Sequence, residues 1–200
     1  MEIELQYSLY LVAYIDVLGQ RSRIRELPFP DAQTDKSKIT EKLKGTAGVV
    51  LGLRNTFKDL FEIVASPGPL ISSLPKDQKK NAQRFTKCDI RFHGFSDSIA
   101  ISVPLINQNE NCEEMNGIHA CLFSLCSVLL MSLAVGHPIR GGVDIGPCLS
   151  LSSTEVYGAA LEKAYYLEAN VADYPRIVVG RDLFNYIVSV RKPPSRGLKT

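Results

Sequence analysis

Two aspartates stand in short apolar segments, where a charged side chain is unexpected. Asp16 lies near the end of the segment spanning residues 11–19, and Asp97 comes just before the apolar residues 98–103. Because an unpaired buried charge is very costly, a carboxylate at such a position needs a cationic partner. Two carboxylates at strand ends or turns suit a site that holds two divalent cations and, through them, a polyphosphate. The sequence therefore predicts a two-cation site built on Asp16 and Asp97.

The elements that must position these aspartates follow from hydrophobic periodicity. Strands are predicted over residues 7–17, 84–95, 98–103, 138–145 and 176–179, helices over 37–65, 117–135, 158–171 and 182–190, and a loop over 20–36. This β-α-β-β-α-β order, with additions at its end, is the split βαβ order of ferredoxin-like folds. It allows Asp16 and Asp97 to lie side by side. We predict an α+β fold with a ferredoxin-like βαββαβ core, its antiparallel sheet flanked by helices.

Length, charge and cysteine usage limit the class of protein. The 200 residues suit one domain, predicted over residues 1–192 with a loose tail over 193–200. A net charge of +2 gives no electrostatic argument for a nucleic-acid partner. The five cysteines are odd in number and form no CxxC pair, and no basic-then-apolar leader follows Met1. These features predict a reduced, cytoplasmic protein.

One segment has the length of a membrane span. Residues 117–135 are 19 residues with no charged side chain apart from a possible His119. Three serines interrupt the stretch, and no Lys/Arg cluster marks either end as a topology signal would. A helix packed against the sheet explains the segment better, so no membrane partner is predicted.

A third segment carries a motif whose meaning depends on the two aspartates. Residues 139–146, with the sequence IRGGVDIG, are followed by a helix that opens at Gly158. The combination resembles the catalytic domain of class III nucleotidyl cyclases, the adenylate and guanylate cyclases. Those domains carry an aspartate with a glycine three residues later, a second aspartate in the next hairpin, a strand of the form R-x-G-x-x-x-G and a helix opening with glycine. The resemblance covers about residues 7–190.

Within that family, the chain is more similar to the stand-alone bacterial cyclases of Pycsar anti-phage defence. Those enzymes make cyclic pyrimidine mononucleotides. The likeness is carried by FSDSI at residues 95–99, IRGG at 139–142, YGAALEKAYYLE at 157–168 and ADYPRI at 172–177. It implies a uridylate or cytidylate cyclase, with UTP slightly favoured as the substrate and cyclic UMP and pyrophosphate as products.

The resemblance also implies a set of metal and phosphate ligands. Asp16, Asp97 and the backbone carbonyl of Val17 would hold two Mg²⁺ or Mn²⁺ ions. One ion would lower the pKa of the ribose 3′ hydroxyl, and the other would neutralise the triphosphate as pyrophosphate leaves. The turn Leu18-Gly19-Gln20 would offer backbone N–H groups to phosphate oxygens.

The positions that read a purine in related enzymes differ in this chain. A lysine four residues before the second aspartate is replaced by His93, and an aspartate three residues before the helix glycine by Glu155. Glu155 could accept a hydrogen bond from an exocyclic amine, and His93 could donate one to a carbonyl. Arg91, on the same strand face as His93, could also reach the base. These departures favour a pyrimidine.

The helix positions that orient the ribose and steady the transition state also differ. By register, an asparagine is replaced by Glu162 and an arginine by Tyr166. Because tyrosine has no fixed positive charge, either Lys163, Arg140 or Arg176 replaces the arginine, or catalysis is slower, or the chain is a degenerate copy. Lys163 is the better substitute by sequence, whereas Arg140 could instead pair with a carboxylate across the sheet. Asp144, inside the third segment, is expected to pair with an arginine.

The resemblance further implies a head-to-tail homodimer with two composite active sites and a separate effector that responds to the cyclic nucleotide. Three alternatives remain at this point. A purine cyclase would need an unusual base pocket. A catalytically inactive nucleotide-sensing domain is favoured by Tyr166 and disfavoured by the intact aspartate pair. A polymerase-type palm would normally place two adjacent acidic residues in the hairpin, where this chain has only Asp97.

Overall fold

The structure, a computed structural model, describes residues 7–30, 35–66, 73–76, 78, 90–107, 112–113, 115–152 and 155–191. The predicted tail over residues 193–200 lies outside this part of the chain. The strands are β1 (Tyr7–Val17), β2 (Arg91–Phe95), β3 (Ser98–Pro104), β4 (Ile106–Asn107), β5 (Cys112–Glu113), β6 (Ile139–Ser152), β7 (Glu155–Gly158) and β8 (Ile177–Val179). The helices are α1 (Gln20–Arg25), α2 (Lys36–Ala65), α3 (Met115–Ala134), α4 (Ala159–Asn170) and α5 (Arg181–Arg191).

Six of the strands form one mixed sheet. Its order is β2-β3-β1-β6-β7, and every neighbouring pair along this path is antiparallel. β8 lies off the path and pairs with β6 in parallel. The short strands β4 and β5 form a separate antiparallel pair. The predicted α+β class, with a largely antiparallel sheet flanked by helices, is confirmed.

The alternation of side chains along β1 divides the molecule into layers. Leu11, Ala13, Ile15 and Val17 point to one face and are buried against α2 and α3 in the main hydrophobic core. The residues between them point to the other face, where β1 and β6 pack against the small side chains of α4. By this alternation Asp16 belongs to the α4 face of the sheet.

The main core is closed by two long helices. Asp35 caps the start of α2, its Oδ1 accepting a hydrogen bond from the backbone N–H of Ser37 at 3.0 Å. Phe57 and Phe61 of α2 are buried beneath the sheet. Among the described helices, α3 alone is long and apolar enough to cross a membrane. Of its apolar stretch, 44% is buried inside the fold. That burial agrees with the prediction of a helix packed against the sheet.

Two elements differ from the sequence prediction. The predicted loop over residues 20–36 begins with the helix α1, a six-residue segment too short to show hydrophobic periodicity. Strand β6 continues to Ser152 instead of ending near Ile145. Its pairing with β7 forms the hairpin that the sequence suggests for residues 149–157. Pro147 falls within β6, at an exposed position opposite Leu9.

Two glycines of β6 allow α4 to approach the sheet closely. A Cβ atom at Gly142 would lie 2.3 Å from the carbonyl oxygen of Ala164 and 2.5 Å from the Cβ of Leu167. A Cβ at Gly146 would lie 3.1 Å from the backbone nitrogen of Ala160. Arg140, Gly142 and Gly146 form the R-x-G-x-x-x-G pattern, so its glycines provide the contact surface for α4.

Candidate active site

The two predicted carboxylates meet at one end of the sheet. Asp16 is the last residue but one of β1, where its Cα neighbours are Ser98 of β3 and Arg140 of β6. Asp97 lies in the turn between β2 and β3, and its carbonyl accepts a hydrogen bond from the N–H of Val17 at 3.3 Å. Both aspartates are buried, with exposed fractions of 3% and 5%. The end of β1 and the β2–β3 turn therefore place two carboxylates next to each other.

A single arginine bridges these two carboxylates. Arg21 of α1 places its Nη2 atom 3.4 Å from Asp16 Oδ1 and its Nε atom 3.4 Å from Asp97 Oδ2. Ser98 donates a further hydrogen bond to Asp16 Oδ1 at 3.2 Å. The Arg21 side chain is 56% exposed, in contrast to the two carboxylates. A mostly exposed guanidinium thus neutralises part of a buried acidic pair.

A second arginine extends the cluster toward α4. The Nε atom of Arg140 lies 3.8 Å from Asp16 Oδ2 and 2.6 Å from Oε1 of Glu168, a buried residue of α4. The cluster therefore contains three carboxylates and two guanidinium groups. When all of them are ionised, it carries a net charge of −1.

The environment favours protonation of two of these carboxyl groups. Burial raises the pKa of Asp16 above its usual value of 3.8, with Arg21 opposing this shift and Asp97 reinforcing it. Burial likewise raises the pKa of Glu168 above 4.5, against the influence of Arg140. The two arginines therefore offset only part of the rise in pKa that desolvation causes in Asp16 and Glu168.

The turn after β1 fits its predicted role as a donor of N–H groups to phosphate only in part. The N–H of Leu18 donates to the carbonyl of Pro138 at 2.9 Å, so a phosphate contact from this group does not fit the geometry. Gly19 adopts a left-handed conformation with φ of 81° and leads directly into α1. The Gln20 side chain is buried, and its Oε1 atom has no hydrogen-bond partner among the described residues. Of the three predicted phosphate donors, Gly19 and Gln20 keep that role as a prediction.

The residues predicted to read the base belong to the two edges of the sheet path. Arg91 of β2 donates to Ser150 Oγ of β6 at 2.5 Å. This bond joins β2 to the β6–β7 hairpin, where the exposed residue Glu155 is paired with Ser152. His93 Nε2 lies 2.9 Å from Ser102 Oγ of β3. A link between the edge strand β2 and strand β6 thus exists on the sheet face that carries Asp16.

The predicted helix residues lie away from the carboxylates of their own chain. Lys163 Nζ is 2.5 Å from Asp182 Oδ2 and donates to the carbonyl of Ile145 at 3.3 Å. Ile145 is five strand residues from Arg140, or about 17 Å along β6. Tyr166 is 58% exposed and Glu162 is also exposed. A single chain therefore does not bring Lys163 to Asp16 and Asp97, and Glu162 and Tyr166 face solvent.

Two other charged residues of the sequence analysis have structural partners. Asp144 Oδ1 accepts hydrogen bonds from the N–H groups of Ile145 at 2.9 Å and Leu183 at 2.8 Å, the second at the start of α5. The expected arginine partner of Asp144 is not what the structure shows. Arg176 donates to the carbonyl of Val171 and lies over the ring of Tyr174 at 4.4 Å, so it fixes the segment before β8.

The sequence analysis missed three members of the cluster. Arg21 lies on the helix that was predicted as loop, and Glu168 acquires its role only because α4 packs closely on β6. Ser98, adjacent to Asp97, could have been found from the pairing of β1 with β3. In the described part of the chain, no three His, Cys, Asp or Glu side chains are placed to share a metal ion.

No protein-family model matches the chain, and no curated protein matches it. The resemblance to class III cyclases therefore remains a prediction from motifs. What the site can do must be argued from its own geometry.

Proposed function

We propose that the chain is a nucleotidyl cyclase of the class III type, which converts a pyrimidine nucleoside triphosphate into its 3′,5′-cyclic monophosphate and pyrophosphate. UTP is the favoured substrate. The observation that carries the proposal is the buried pair Asp16 and Asp97 at the end of β1 and the adjoining turn. Burial of two neighbouring carboxylates costs desolvation energy, and this cost supports a functional role for the pair.

The topology supports the same proposal. The strands β6, β1, β3 and β2 are neighbours in that order and are antiparallel, as a ferredoxin-like βαββαβ core requires. The helices α2 and α3 connect them as the two crossovers of that core. The remaining strands β4, β5, β7 and β8 and the helices α1, α4 and α5 are additions to it.

The donor set suits hard divalent cations such as Mg²⁺ or Mn²⁺. Asp16 and Asp97 offer carboxylate oxygens. Asp97 Oδ2 is buried and has no hydrogen-bond donor among the described residues, its contact to Arg21 at 3.4 Å being ionic. The carbonyl of Val17 is the proposed third ligand. When bound, the cations supply charge neutralisation at the triphosphate and acidify the attacking hydroxyl. Arg140, anchored by Glu168, then provides a fixed positive charge beside Asp16.

We expect cation binding to weaken with falling pH earlier than it would for an ordinary aspartate. A proton on Asp16 excludes the cation, and the raised pKa of Asp16 means that protonation begins above the usual 3.8. Mn²⁺ titrations followed by electron paramagnetic resonance, repeated from neutral pH downward, measure this directly. Circular dichroism at each pH verifies the fold. An affinity that stays constant until the usual aspartate range would contradict the expectation.

The position of the α4 residues supports a dimer. Because Lys163 contacts Asp182 and the carbonyl of Ile145, five strand residues from Arg140, a complete site requires this residue from a second protomer. We propose a homodimer with two composite sites, in which Lys163 replaces the missing transition-state arginine. The proposed setting is the cytoplasm, without a nucleic-acid or membrane partner, and with a separate effector that reads the cyclic nucleotide in anti-phage signalling.

The substitution Lys163→Ala tests this assignment. We expect kcat to fall by about a hundredfold, because a positive charge is lost from the transition state. The unfolding transition should change little, since the ion pair of Lys163 with Asp182 is partly exposed to solvent. Lys58→Ala is the matched control, because Lys58 forms an exposed ion pair with Glu62 on α2. Equal kcat values for the two variants would show that Lys163 has no catalytic role.

A second candidate is a catalytically inactive nucleotide-sensing domain. The observation in its favour is the guanidinium of Arg21 between the two carboxylates, together with tyrosine at position 166. Such a domain would bind a nucleotide and rearrange its dimer without turnover. The two functions differ in whether any cyclic product forms.

The deciding experiment is incubation of the purified protein with Mn²⁺ and each of ATP, GTP, CTP and UTP in separate reactions. Chromatography of the products identifies any cyclic nucleotide, and pyrophosphate release gives an independent reading. A cyclic pyrimidine product supports the proposal and fixes the base. A cyclic purine product would move the chain to the purine cyclases. Nucleotide binding without any cyclic product would favour the sensing domain.

A further inference from the structure

Arg21 occupies the position between the carboxylates that the proposed function assigns to divalent cations. We infer that Arg21 and divalent cations compete for Asp16 and Asp97, so that a cation binds only when the guanidinium leaves. This inference rests on the part of the proposed function that makes the two aspartates cation ligands. It adds a residue to the site that controls when those ligands become available.

The geometry is that of a replaceable counter-ion. Arg21 approaches both carboxylates at 3.4 Å, whereas strong charge-assisted hydrogen bonds are about 2.7–2.9 Å long. The ionic contact between Arg140 Nε and Glu168 Oε1 is much shorter, at 2.6 Å, although it lacks the alignment of a hydrogen bond. The cluster therefore contains one tight ion pair and one loose bridge, and the loose bridge spans the proposed cation ligands.

The position of Arg21 in the fold allows its side chain to move away from the carboxylates with little loss of packing. Its side chain is 56% exposed, compared with 24% for Arg140. It belongs to a six-residue helix in which Gln20 is the only buried residue, and Gly19 precedes that helix in a left-handed conformation. A rotation of the Arg21 side chain into solvent removes no residue from the hydrophobic core.

The charge balance favours the exchange. With Arg21 in place, the three carboxylates Asp16, Asp97 and Glu168 face two guanidinium groups and leave a net charge of −1. Without Arg21 the net charge becomes −2, which one divalent cation balances. A cation added beside Arg21 would instead make the cluster positive and would repel the guanidinium at short range.

A triphosphate would shift this competition. A released guanidinium binds phosphate oxygens well, because its planar donors match their geometry. Nucleotide binding that draws Arg21 away from the aspartates would therefore strengthen cation binding. By thermodynamic linkage, cation binding would strengthen nucleotide binding by the same factor. Arg21 would then make occupation of the cation site depend on the presence of substrate.

The test is Mn²⁺ binding without nucleotide, measured by electron paramagnetic resonance on the wild type, Arg21→Gln and Arg23→Gln. We expect Arg21→Gln to bind Mn²⁺ at least about tenfold more tightly, because an opposing charge within a few ångströms of the ligands is removed. Arg23→Gln is the matched control, since Arg23 is exposed on the same helix and loses the same charge. Adding Asp97→Asn to Arg21→Gln should abolish the gain and so locate the binding site.

Each other outcome overturns the inference. Unchanged, weaker or undetectable Mn²⁺ binding in Arg21→Gln would show that Arg21 does not block a cation site. An equal gain in Arg23→Gln would indicate a general charge effect of α1. The cyclase proposal is judged separately by product formation from the triphosphates. A protein with the expected Mn²⁺ behaviour but no cyclic product would retain the inference and lose the proposed reaction.

Discussion

Replacing Asp97 by asparagine is expected to reduce the turnover of the triphosphate by at least about a hundredfold. Asparagine has nearly the same size as aspartate but lacks the negative charge that a divalent cation requires. The loss should appear in kcat, because the charge stabilised by the cation develops as pyrophosphate leaves. Steady-state rates of cyclic product formation measure the effect. Mn²⁺ affinity, measured separately, should fall in parallel.

The fold should survive this change. Asp97 is a turn residue whose structural contact to Val17 uses its backbone carbonyl, which the substitution retains. Asp59→Asn is the matched control, because Asp59 is exposed on α2, on the other side of the sheet from the carboxylates. Unchanged turnover in Asp97→Asn, with the cyclic product still formed, would remove Asp97 from the mechanism and require a different cation ligand.

The carboxylate pair could be predicted because its signal is local. An acidic residue within an apolar segment must have a compensating partner, and the order of elements placed both such segments in adjacent strands. The same signal gave a different result at Asp144. Its partners are backbone N–H groups at the start of α5, and no local pattern distinguishes a helix-capping carboxylate from a cation ligand. Hydrophobic periodicity locates a carboxylate whose burial costs free energy, whereas the identity of its partner depends on tertiary packing.

The arginines were harder to predict for a related reason. Arg21 reaches both aspartates from a helix of six residues, which is shorter than two full turns. A segment this short shows no hydrophobic periodicity from which a helix could be predicted. Arg140 was predicted either as a catalytic charge or as a partner of a carboxylate across the sheet. The structure places it between Asp16 and Glu168, and the contact with Glu168 depends on how closely α4 packs on β6.

The close packing of α4 makes Gly142→Ala the substitution with the largest expected effect on stability. The added Cβ would lie 2.3 Å from the carbonyl oxygen of Ala164 and 2.5 Å from the Cβ of Leu167. Neither atom belongs to the flexible end of a side chain, so the helix and the strand must move apart. We expect the free energy of unfolding to fall by about 3 kcal/mol. Urea denaturation at fixed protein concentration measures the change.

Gly94→Ala provides a control of the same chemical kind in the same sheet. A Cβ at Gly94 of β2 would meet no atom within 4 Å among the described residues, so stability should change by no more than about 0.5 kcal/mol. If Gly142→Ala were equally mild, α4 would have to adapt without cost, and the packing described for this face would be wrong. Movement of α4 in Gly142→Ala would also carry Glu168 away from Arg140. The substitution should therefore weaken the anchoring of the one arginine that the proposed mechanism requires to stay in place beside Asp16.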